Sequence, residues 1–102
     1  MSNRLELQSK LEQLIGNENV YFQPPASVKL SYPCVIYRIG NGNAKHANNS
    51  MYIFTNSYEM MFIYKKPNLE IIEEVLKTLP MCRFDRAYCS DNLNHYVFNV
   101  YF

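Results

Sequence analysis

Apolar and polar positions alternate with two different periods along this chain, and the periods divide it into helices and strands. From Arg4 to Ile15, Leu7, Leu11, Leu14 and Ile15 recur at the spacing of one helical face, which predicts an amphipathic helix. Asn3 with Glu6 can form a capping box at its start, and Gly16 can supply the left-handed stop at its end. Pro67 to Leu79 repeats the helical pattern, with Leu69, Ile72, Val75, Leu76 and Leu79 as the expected buried stripe. Pro67 opens this segment and Pro80 closes it, while Glu70, Glu73 and Glu74 early and Lys77 late suit the helix dipole.

The other segments read with period two. Asn19 to Gln23 is a short extended stretch ended by Pro24-Pro25, because consecutive prolines remove backbone donors. Pro33 to Ile39 is nearly continuous in apolar residues and predicts a central strand, with Val35, Tyr37 and Ile39 on one face and Cys34, Ile36 and Arg38 on the other. Met51 to Lys65 predicts one long strand or two short ones, broken at Asn56-Ser57, with Tyr58, Met60, Phe62 and Tyr64 sharing a face. Met81 to Phe102 reads as two strands joined by the polar cluster Asp91-Asn92-Leu93-Asn94. In the last of these, Phe98, Val100 and Phe102 face one way and Val97, Asn99 and Tyr101 the other; apolar register kept to Phe102 implies a paired, buried strand. Between the strands, residues 40–50 have no periodicity and many turn formers, which predicts a long loop. The order helix, strands, helix, hairpin predicts an α+β fold: a mostly antiparallel sheet of four to five strands packed with two α-helices and ending in a C-terminal β-hairpin. At 102 residues, the chain is expected to be one domain, 1–102.

Composition sharpens this picture in two respects. A net charge of +1 gives no global field for a polyanion, and neither long apolar spans nor a signal peptide are recognisable. The three cysteines, Cys34, Cys82 and Cys89, lack CxxC spacing and read as reduced, mostly buried thiols of a cytoplasmic product. Nine tyrosines and six phenylalanines are many for this length, and the surplus is a candidate contact surface.

Catalytic chemistry is weakly supported. Cys89, Asp91 and His95 bring a thiol, a carboxylate and an imidazole near one turn, but such trios arise easily in polar turns and nothing marks an oxyanion hole. His46 and His95 have no Cys or His at ligand spacing, and Gly40-Asn41-Gly42 is not followed by a third glycine opening a helix, so neither a metal nor a phosphate cofactor is expected. Tyr58, Phe62 and Tyr64 on one strand face could stack bases, with Lys65, Lys66, Arg83 and Arg86 on phosphates, although no RNP-type segment occurs. Asp85, Arg86, Asp91, Asn92 and Asn94 admit two readings: surface turn chemistry, in which Asp and Asn bond their own backbone, or the polar part of a subunit contact.

Four blocks taken together resemble a known group: Val20-Tyr21-Phe22-Gln23-Pro24-Pro25, Tyr32-Pro33-Cys34-Val35-Ile36-Tyr37, Leu79-Pro80-Met81-Cys82-Arg83-Phe84-Asp85-Arg86 and Asp91-Asn92-Leu93-Asn94-His95. Their order and spacing resemble the tail terminator or tail completion (head-tail joining) proteins of long-tailed bacteriophages and Gram-positive prophages. Tyr96 stands where that pattern leads one to expect an acidic residue. The resemblance implies a non-enzymatic structural protein of the virion, assembled in the bacterial host cytoplasm. It implies a homohexameric ring on the head-proximal end of the tail tube, which stops tube polymerisation and meets the head-tail connector proteins. Under this expectation the partners are further copies of the chain, the tail tube protein and the connector, with no membrane and no specific nucleic acid. Asp85, Arg86, Asp91, Asn92, Asn94 and His95 are then candidates for subunit contact or its local support, and Asn41, Asn43, Lys45, His46, Asn48 and Asn49 for contact with the tube. A head-side connector or neck protein is the nearest alternative, and a small single-stranded nucleic-acid-binding domain the alternative from another class.

Overall fold

The computed structural model describes residues 3–40 and 57–102. The described residues form two helices and five strands in the order α1 (Asn3–Ile15), β1 (Val20–Phe22), β2 (Cys34–Ile39), β3 (Ser57–Tyr64), α2 (Glu70–Thr78), β4 (Cys82–Ser90) and β5 (Leu93–Tyr101). The fold is α+β, with a mixed, mostly antiparallel sheet that ends in the β4-β5 hairpin. The sheet order is β1-β2-β3-β5-β4. β1 runs parallel to β2, and every other neighbouring pair is antiparallel. β2 lies inside the sheet, as its continuous apolar run predicts, and β5 lies between β3 and β4, so the final strand is paired on both sides. The expected loop residues 41–50 and the first part of the expected strand, 51–56, lie outside the described residues.

Register decides which side chains are buried. Tyr37 opposes Met60 and Met60 opposes Phe98, while Val35 opposes Phe62 and Phe62 opposes Tyr96. Side chains on one strand alternate between faces, so these residues share one surface. Both helices pack there: Leu7, Leu11 and Ile15 of α1, and Ile71, Val75 and the adjoining Leu79, join the strand residues in one core. Phe98 sits near its centre with ring contacts to Phe62 at 5.5 Å and Phe84 at 5.4 Å, both edge-on. Tyr37 is buried with its hydroxyl donating to Gln8 Oε1 at 2.7 Å and accepting from Arg4 at 3.2 Å, so a polar tip crosses from sheet to α1 without an orphaned group.

α1 stops where the sequence indicates. Gly16 takes φ +83°, a conformation costly for residues with a Cβ, and its N–H bonds the Glu12 carbonyl at 2.9 Å. α2 keeps part of its expected stripe, since Val75 and Leu79 are buried and Ile72 packs against the core, and departs from it in the rest. Leu69 precedes the helix and is 69% exposed, and Leu76 is also exposed, whereas Ile71, Val75 and Leu79 form the buried row. Two overlapping apolar rows run along this segment, and contact with the sheet selects the one spaced by four that starts at Ile71, the second residue of the helix. Its N-terminus is tied to β5 instead of being capped by its own side chain: the Asn68 N–H donates to the Tyr96 hydroxyl at 2.9 Å.

Candidate functional site

The C-terminal hairpin closes with a two-residue turn. Asp91 and Asn92 have φ +55° and +62°, the left-handed pair of a type I′ turn, which Asp and Asn tolerate better than most residues. The turn is thus shorter than the expected four-residue cluster, and Leu93 and Asn94 already belong to β5. This geometry leaves β4 at the edge of the sheet, with most of its residues exposed. A register irregularity between Phe84 and Arg86 bulges the strand at Asp85.

The six candidate contact residues separate into three places. Asp85 and Arg86 sit at the bulge, where Arg86 donates to the Asp85 carboxylate at 2.7 Å; both are exposed, so this pair contributes at most about 1 kcal/mol. Arg86 also lies 5.7 Å from the centre of the Tyr88 ring, and Tyr88 stacks on His95 at 4.6 Å with the planes 4° apart. The Tyr88 hydroxyl reaches the Met61 sulfur at 3.8 Å. The His95 Nδ1 lies 3.0 Å from the Leu93 carbonyl, which can only accept, so a neutral ring carries its proton on Nδ1 and offers Nε2 as an acceptor. Arg86, Tyr88, His95 and Met61 therefore form one cluster on the face opposite the helices. Asn94 is turned the other way, its amide 3.5 Å from the carbonyls of Tyr64 and Lys65, where it supports the end of β3. Asp91 and Asn92 occupy the exposed tip.

Among the described residues, the helices cover one face of the sheet only. The other face is buried at Cys34, Ile63 and Val97 and becomes polar along the row Arg38, Glu59, Asn99, Arg83. Arg38 Nε donates to Glu59 at 2.7 Å within that row. Beside it lies a groove of about 820 Å³ whose rim carries the exposed apolar side chains Ile39, Met81 and Tyr101. Gly40 borders this groove because a Cβ there would stand 2.5 Å from the Ser57 hydroxyl. Residues between Gln23 and Leu30 cross the same face farther along, over Ile36.

Several expectations are corrected here. Tyr58 and Phe62 are buried beneath the helices and Tyr64 is half-buried beside them, its phenol pushed up to about 12 by burial, so this trio offers no open stacking platform. Cys89 opposes Asn94 while Tyr88 opposes His95, which puts the Cys89 thiol and the imidazole on opposite faces and dissolves the thiol-imidazole trio. Cys34 is buried and Cys82 partly so, and burial pushes both thiols up to about 11, but Cys89 is exposed. The aromatic surplus is smaller than expected: the core absorbs most of the rings, leaving Tyr88 and Tyr101 as the exposed large aromatics among the described residues. Tyr96 faces the core, 3% exposed, with its hydroxyl accepting from the Asn68 N–H beside α2. Tyr88 and Met61 were not singled out in the sequence, although Tyr88, seven residues before His95 across a short turn, was placed to meet it. The tube-contact candidates Asn41, Asn43, Lys45, His46, Asn48 and Asn49 lie outside the described residues. No helix among the described residues is long and apolar enough to cross a membrane. No protein-family model, curated protein or solved structure matches this chain.

Proposed function

We propose that this chain is a non-enzymatic structural protein of a phage virion that forms a ring on the head-proximal end of the tail tube, stops its growth and helps join it to the head. The four sequence blocks motivate the reading. The observation that carries it furthest is the β4-β5 hairpin, a long strand at the sheet edge beside an aromatic cluster that no helix among the described residues covers. A lone subunit gains nothing from exposing such an edge, which invites pairing with other chains; in a ring each edge meets a neighbour. The bulge and the charges of Arg83, Asp85 and Arg86 restrict that pairing to the outer half of the strand.

Light-scattering mass of the purified chain, alone and with the tail tube protein of the same genome, tests the ring. A multiple of the subunit mass on the tube end is expected. Deleting the gene should give overlong or headless tails, and normal infectious particles from the deletion would overturn the proposal. Electron microscopy of labelled particles separates the tail side of the neck from the head side, where a connector would sit.

A further inference from the structure

We infer that copies of this chain join edge to edge, the outer half of β4 pairing antiparallel with β1 of the next copy, so that one sheet runs on from subunit to subunit. The inference rests on the ring reading above and names the surfaces through which the ring closes.

Backbone groups at both edges fit this pairing. The two-residue turn makes Ser90 and Leu93 a hydrogen-bonded pair, and bonded and non-bonded pairs alternate along the hairpin, so Ala87 and Cys89 turn their N–H and C=O groups away from β5. At the other edge, Val35 donates to the Asn19 carbonyl and Gln23 donates to the Tyr37 carbonyl, both at 2.9 Å. The odd-numbered residues of β1 therefore face β2, and Val20 and Phe22 turn outward. The Val20 N–H is already held by the Glu18 carbonyl at 2.8 Å. Phe22 offers a donor and an acceptor, and Val20 an acceptor.

Strand direction agrees. β1 is parallel to β2, and the alternation through β3, β5 and β4 leaves β4 antiparallel to β1, so a copy placed beside β4 presents β1 in the antiparallel sense. Pairing Ala87 with Phe22 of the partner subunit lets those two exchange both bonds and lets the Cys89 N–H reach Val20 of the partner subunit.

Side chains match in the same register. Ala87 and Cys89 are small and exposed, leaving room for Phe22 and Val20 of the partner subunit on the helix side. On the opposite side Tyr88, stacked on His95, stands across from Tyr21 of the partner subunit, which shares its row with Ile36 and Met61. A two-fold β4-β4 pairing would bury one edge and leave every β1 open, whereas the β4-β1 contact uses both and is heterologous, as a ring requires. Five strands about 4.8 Å apart advance the sheet by about 24 Å per copy.

The test uses the full chain with and without tail tube protein, followed by light scattering. Ala87→Pro removes an outward N–H and leaves the β4-β5 ladder intact, so its far-UV circular dichroism should match the wild type while assembly weakens at least about tenfold. The variant Tyr21→Cys, Tyr88→Cys, Cys89→Ser should give a disulfide-linked ladder on oxidation, which decides the matter even if the proline variant fails to fold. A ring that forms equally with Ala87→Pro and gives no ladder overturns the edge pairing and leaves the ring reading standing. Dimers linked Cys89 to Cys89 in the wild type would overturn it in favour of two-fold pairing. A wild-type chain that stays monomeric in both conditions defeats both the ring and this contact.

Discussion

Truncating Phe98 to alanine removes the ring on which the helix-side core converges. Phe98 is fully buried, opposes Met60 on β3 and Phe84 on β4, and meets two other rings edge-on. Emptying such a site costs about 3–5 kcal/mol, a figure that combines lost burial with the cavity left behind. The two edge-on contacts, worth about 0.5–1.5 kcal/mol each, place Phe98 toward the upper end. Domains of this size are stable by about 5–15 kcal/mol, so the loss removes a third or more of the total in most of that range. The melting temperature should fall by roughly 15–30 °C. Urea unfolding followed by far-UV circular dichroism, with tyrosine fluorescence as a second probe because the chain has no tryptophan, measures the change. Tyr88→Ala, at an exposed position on the opposite face, should cost less than about 1 kcal/mol in the same assay. Equal losses in the two variants, or a cost below about 1 kcal/mol for Phe98→Ala, would show that the β5 register is wrong, since a slip of one residue exchanges the faces.

Three further outcomes follow from local geometry. Asn92→Gly should stabilise the hairpin by up to about 1 kcal/mol and Asn92→Val should destabilise it by about 1–2 kcal/mol, because residue 92 holds φ +62°; urea midpoints of both variants check the sign. Tyr96→Phe should cost about 1 kcal/mol by leaving the Asn68 N–H without its hydroxyl partner, and faster amide exchange at Asn68 would locate the loss. A thiol reagent at mildly alkaline pH should modify Cys89 promptly and Cys34 and Cys82 only on unfolding; because burial raises those two thiols from 9.0 to about 11, the unfolded chain binds fewer protons between these values, and the urea midpoint should decline as pH climbs through that window.

The parts of the fold legible in sequence were those in which one pattern dominated. The leucines of α1 have one possible face and a glycine stop, and the alternation from Val97 to Phe102 has one possible parity. α2 was legible as a helix and in Val75 and Leu79 of its stripe, but not in its full rotation: Ile71 is buried where Leu69 and Leu76 were expected, a choice that only the sheet decides. The candidate contact residues were sought on the hairpin, yet Asn94 and His95 look to opposite faces, a division that depends on where the turn begins and is invisible until Asp91 and Asn92 are fixed as its two residues. Cys89 read as buried by residue type, whereas its place on an edge strand beyond the cover of α2 exposes it.

The single extra residue at Asp85 resets the parity of β4. Before it, even-numbered Cys82 and Phe84 supply the interior; after it, even-numbered Arg86 and Tyr88 look outward. One strand thereby serves two surfaces in sequence, lending a phenyl ring to the protein's own interior and then a phenol to whatever adjoins it. Were the strand regular through Asp85, with no residue lost, Tyr88 would go to the helix side and Cys89 to the aromatic cluster. Divergent sequences that set these two rings on opposite faces should accordingly carry either three intervening residues with a bulge, as here, or one fewer without it.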